Sequence, residues 1–82
     1  MQINAQQYRM KGIVSDAKLD PLSFVTVQIK GLQIGSKTDE QGRYEFQLEE
    51  GEYELIFSLV GYAKQSIKFI HKKNSPPQHI IL

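Results

Sequence analysis

From Tyr8 onward the apolar side chains recur at every second position, in runs of four to eight residues separated by Gly, Pro, Asp and Asn clusters. A period of two places successive side chains on opposite faces of an extended strand, whereas a helix needs a period near 3.6. The chain is therefore all-β. Glu52–Leu59 is the clearest segment, with Tyr53, Leu55, Phe57 and Leu59 on one face and Glu52, Glu54, Ile56 and Ser58 on the other. Arg43–Leu48 repeats it, with Tyr44, Phe46 and Leu48 inward, and so does Phe24–Ile29, with Val25, Val27 and Ile29 inward.

Weaker patterns complete the set. Tyr8–Ser15 carries Tyr8, Met10 and Val14 on one side, and Gly12 interrupts it, which predicts a bulge or a close backbone approach. Gln33–Thr38 has Ile34 as its one large apolar side chain, so it is expected at a sheet edge. Tyr62–Ile70 alternates through Ile67 and Phe69, and His79–Leu82 is the last strand. Asp20-Pro21, Asp39-Glu40-Gln41-Gly42 and Glu49-Glu50-Gly51 are turns. Ser75-Pro76-Pro77 cannot join a ladder and must cross between strands or sheets. About seven short strands, each with one apolar face, call for two stacked sheets rather than one.

With 82 residues there is room for one small domain, and such domains bury only about 60% of their unfolded surface. A deep private cleft does not fit that size. The net charge of +1, with its basic residues scattered, gives no broad attraction to nucleic acid. The absence of cysteine excludes disulfides, thiol nucleophiles and cysteine-ligated zinc. No apolar run approaches the roughly 20 residues of a membrane-spanning helix. Residues 1–7 are expected to be a disordered leader remnant and 8–82 the domain. Ile3-Asn4-Ala5 before Gln6 reads as the tail of a removed signal peptide, or else as a terminus carrying an added start Met.

An ordered series of short motifs adds to this. Gly12-Ile13-Val14-Ser15-Asp16, Pro21-Leu22, Val25 through Lys30-Gly31, Ile34-Gly35, Thr38-Asp39-Glu40-Gln41-Gly42-Arg43-Tyr44, Gly51-Glu52-Tyr53 and Val60-Gly61-Tyr62 follow one another in order. The series resembles the carboxypeptidase-regulatory-like domain over nearly all of Tyr8–Leu82. The resemblance implies a seven-stranded antiparallel β-sandwich of the transthyretin, or prealbumin-like, Greek-key kind with no catalytic residues. It also implies a place in the periplasm or at the cell surface, typically at the N-terminus of a Bacteroidetes TonB-dependent outer-membrane receptor.

Side chains capable of chemistry have structural readings. His71 and His79 stand eight residues apart on different elements, without metal-ligand spacing. Asp39 invites calcium, but the further alternating carboxylates of such a loop are missing, and a turn explains it. The serines Ser15, Ser23, Ser36, Ser58 and Ser66 lie in no Gly-x-Ser-x-Gly elbow. Lys11 and Asn74 could form an isopeptide only with a buried carboxylate between them. Glu49, Glu50, Glu52 and Glu54 face Lys64, Lys68, Lys72 and Lys73 on the next strand and are expected to pair with them. Tyr8, Tyr44, Tyr53 and Tyr62 could stack sugars, but Tyr44 and Tyr53 alternate with core positions.

The expectation is a non-catalytic module without cofactor or metal. It acts by contact with other domains of its parent or with periplasmic and outer-membrane proteins. Phe24, Ile56 and the edge segment Gln33–Thr38 are the expected contact surfaces. The alternatives are a regulatory or folding-support domain of a surface metallocarboxypeptidase or other hydrolase, and a weak carbohydrate-binding module.

Overall fold

The computed structural model describes residues 6–82. Seven strands run β1 (Gln7–Ser15), β2 (Thr26–Ile29), β3 (Ile34–Lys37), β4 (Arg43–Glu49), β5 (Gly51–Ser58), β6 (Gln65–His71) and β7 (Gln78–Ile81). They form a three-stranded sheet in the order β4-β1-β7 and a four-stranded sheet in the order β3-β2-β5-β6. β3 is thus an edge strand, as its weak pattern implied. The expected signal-peptide tail at Ile3-Asn4-Ala5 lies outside the described residues, and Gln7 already opens β1.

The alternation read from the sequence becomes the core. Val25, Val27, Ile29 and Leu55 are completely buried, with Phe57 at 1%, and they face Met10, Val14, Tyr44, Phe46, Leu48 and Ile80 of the other sheet. Each such aliphatic or aromatic side chain contributes about 1.5–3 kcal/mol by leaving water. The Tyr44 ring meets Phe57 edge-on at 5.5 Å between centroids and Phe46 at 6.2 Å. Gly12 is the notch that admits it. The β1–β4 register runs unbroken from Gln7↔Glu49 to Ile13↔Arg43, so Gly12 makes no bulge. A side chain there would collide with the Tyr44 ring and the Gln78 carbonyl.

One pairing departs from the expected all-antiparallel arrangement. β7 runs parallel to β1, from Gly12↔Gln78 to Ser15↔Ile81. The reason is topological: β6 ends level with the start of β1, so the chain that passes through Ser75-Pro76-Pro77 into the other sheet runs back in the direction of β1, on the side that β4 leaves open. The remaining edge of β1 accepts a strand of the same direction.

Register and connections define two ends. The lower end holds the start of β1, the β2–β3 turn, the β4–β5 corner and the exit of β6. The upper end holds the 16–25 connection, the 38–42 turn, the β5–β6 loop and the end of β7.

Candidate interaction surfaces

At the lower end His71 is completely buried, and its Nε2 lies 3.0 Å from the Tyr8 carbonyl oxygen and 3.1 Å from that of Leu48. Tyr8 and Leu48 are partners across β1 and β4, so one imidazole from the four-stranded sheet fastens two strands of the other. Donation to two carbonyls requires the proton on Nε2 and leaves Nδ1 buried without a partner. Tyr53 packs edge-on against this ring and donates to the Glu49 carbonyl at 2.7 Å. Burial, helped by the Glu49 charge, pushes the Tyr53 phenol above its ordinary value. His71 is therefore a structural brace.

The second histidine has the look of a catalytic partner. Ser15 Oγ lies 2.7 Å from His79 Nε2, within reach of a nucleophile and its base. Yet Ser15 is only 2% exposed, so a substrate carbonyl has no approach to its oxygen. The pair links β1 to β7 and satisfies a buried hydroxyl. No sequence spacing signals the pair, because Ser15 and His79 lie 64 positions apart and meet only through the parallel pairing.

Asp39 builds a turn. Its Oδ1 accepts the backbone N–H groups of Gln41 and Arg43, both at 2.9 Å, and its Oδ2 accepts Arg43 Nε at 2.9 Å. The Arg43 backbone bond, aided by its guanidinium, holds the carboxyl below the ordinary value. Among the described residues no three metal-capable side chains cluster. Thr38, 2% exposed, accepts from the Val25 N–H at 2.9 Å and donates to the Leu22 carbonyl at 2.6 Å, holding the upper connections to β2.

On the outer face of the larger sheet, the expected acid–base pairing takes a partly different form. Glu54 stands opposite Lys68, but it accepts from the Ser66 hydroxyl and its nearest cation is Lys30 at 3.9 Å. The Ser66 bond, then the Lys30 and Lys68 charges, lower its pKa. Glu50 accepts the Lys73 backbone N–H at 3.0 Å. Ile56 sits mid-sheet between Gln28 and Ser66 and is half-buried, less open than its polar neighbours in sequence suggested.

Phe24 is 67% exposed at the upper end, two residues before the Thr26↔Ser58 pair, whereas Ile56 pairs with Gln28 further down. The structure does not gather them into one patch. At the same end as Phe24, Leu19 is 62%, Val60 99% and Tyr62 38% exposed. Leu19, Val60 and Tyr62 lie in turns, where period-two reading is silent. The signal that could have found them is large apolar residues beside turn formers, in Leu19-Asp20-Pro21 and Val60-Gly61-Tyr62.

Comparison with known proteins agrees with this architecture. The model of the CarboxypepD_reg-like domain family matches residues 10–82. The TonB-dependent receptor SusC of Bacteroides thetaiotaomicron is 31% identical over 70 residues, which is 85% of this chain and 7% of the receptor. The chain thus spans a small fraction of that relative's length. This chain belongs to the CarboxypepD_reg-like domain family.

Proposed function

We propose that the chain is a non-catalytic accessory module, the periplasmic N-terminal extension of a TonB-dependent outer-membrane receptor for nutrient uptake, glycans included. The observation that carries this reading is the 70-residue match to a TonB-dependent receptor, which runs through most of the sandwich. The side chains support it. The histidines are spent on strand connections, and the Ser15 hydroxyl is shielded. No helix among the described residues is long and apolar enough to cross a membrane. The module acts by contact with its parent's other domains or with neighbouring periplasmic and outer-membrane proteins. It uses apolar loops such as that of Phe24, the outer face around Ile56 and the free edge of β3, where Ile34–Lys37 can accept a partner strand.

Deleting residues 8–82 from the parent gene tests the reading. The receptor is expected to reach the outer membrane with uptake reduced, while the purified domain turns over no ester or peptide. Hydrolysis by the domain alone, or a zinc-peptidase motif in the polypeptide that follows it, overturns the receptor assignment. Phe24→Ser with Ile56→Ser is expected to weaken partner binding without unfolding the domain, and unchanged binding removes those two residues from the contact.

A further inference from the structure

The two ends of the sandwich dress their turns differently. The lower turns present Lys30, Glu49, Glu50, Lys72 and Lys73 around one exposed apolar side chain, Leu32, whereas the upper ones present Leu19, Phe24, Val60 and Tyr62, the first three being the most exposed large apolar side chains among the described residues. Leu19 and Phe24 also carry the positive φ angles of the non-glycine residues, 68° and 61°. Bulky side chains pay a steric penalty there that glycine or asparagine avoids. Exposure to water and backbone strain therefore fall on the same two residues, and neither favours the domain by itself. Such coincidences mark a function that the isolated fold does not explain.

The 16–20 tip is tied to itself by hydrogen bonds. Asp16 Oδ1 accepts the N–H groups of Lys18 at 2.9 Å and Asp20 at 3.0 Å, and the Leu19 N–H bonds the Asp16 carbonyl at 2.9 Å. A partner meeting these residues has little loop entropy to remove. Charges around the tips balance, with Lys18, Lys37, Arg43 and Lys64 against Asp16, Asp20, Asp39 and Glu40. That balance offers no net attraction to anionic lipid or nucleic acid and suits an apolar protein surface. The last residue adds position: the Leu82 N–H bonds the Ser15 carbonyl at 2.9 Å, so a continuing chain leaves from this same end.

We infer that the upper end, through Leu19, Phe24, Val60 and Tyr62, docks onto an apolar surface of the polypeptide that follows Leu82 in a longer receptor chain. The inference rests on the receptor reading above and deepens it. Covalent attachment beside the patch makes the encounter intramolecular, so a modest apolar contact suffices.

Hydrogen–deuterium exchange of the domain alone and of the domain with its following polypeptide tests this. Amides in 16–24 and 59–64 are expected to exchange on the order of tenfold more slowly in the longer chain, while 30–33 and 72–77 stay unchanged. The triple variant Leu19→Asn, Phe24→Asn, Val60→Asn is expected to lose that protection while its thermal midpoint holds or rises, which separates docking from folding. Equal exchange in both forms, or protection that survives the triple variant, overturns the inference. So does binding of the isolated domain to phosphatidylethanolamine–phosphatidylglycerol vesicles that the variant abolishes, since the patch then belongs to a membrane. Protection by a following polypeptide that is a hydrolase keeps the docking face and removes the receptor reading.

Discussion

The lower and upper ends of the sandwich solve opposite problems. Below, a completely buried imidazole ties three strands in two sheets together under turns that are charged apart from the exposed Leu32. Above, the bracing is just as dense, through Thr38, Asp39 and the Ser15–His79 pair, yet the turns it supports hold apolar side chains in water. The difference teaches that rigidity and exposure are independent choices. The lower end exposes mainly charge, and the upper is braced while presenting the most exposed apolar side chains.

The largest test of that contrast is His71→Ala. It removes both cross-sheet bonds and opens a cavity at the lower end, with an expected loss of about 3 kcal/mol in urea unfolding. A loss below about 1 kcal/mol would show that the lower end does not depend on its brace. Thr38→Val is the upper counterpart. It strands the Val25 N–H and the Leu22 carbonyl and is expected to cost about 2 kcal/mol, with exchange accelerated at 16–25 before it changes at 49–53.

Between the ends, Tyr44 has a buried hydroxyl without a partner, and burial pushes its pKa up to about 12. The folded state thus holds its proton more tightly than the unfolded chain, whose tyrosine titrates near 10.0. Stability from this group is complete below the unfolded value and falls as pH rises from 10.0 towards about 12, by on the order of 2 kcal/mol. Tyr44→Phe is expected to change stability little at pH 7 and to flatten that alkaline decline. An equally steep decline in the variant would assign it to other groups. Smallest is Leu19→Asn alone: relief of left-handed strain is expected to raise stability by less than about 1 kcal/mol. A decrease would show that the exposed leucine packs usefully after all.

What the sequence made legible follows from which interactions are local. Alternation in Phe24–Ile29, β4 and β5 identified Val25, Val27, Ile29, Tyr44, Phe46, Leu48, Leu55 and Phe57 as inward, because facing is set by the backbone itself. The bareness of Ile34-Gly35-Ser36 likewise marked an edge. The direction of β7 was not legible, since it depends on β6 finishing at the end where β1 starts, which only the assembled sheets define. The Ser15–His79 and His71 connections were hidden for the same reason: they join residues that only the assembled sheets bring together. Phe24 was legible as exposed because Val25 and Val27 fix the opposite face. Its neighbours at the upper end were not, because turn residues obey no period and their grouping is a property of the end.

The parallel placement of β7 against β1 bears on mechanics. The chain enters this sandwich below, at β1, and leaves above, from β7. Tension between those two points pulls along both strands and shears the rungs from Gly12↔Gln78 to Ser15↔Ile81 together, instead of unzipping them one after another. A short ladder loaded in that direction resists as a unit, so a pull on the exit strand is carried into the rest of the sandwich before the strand peels away.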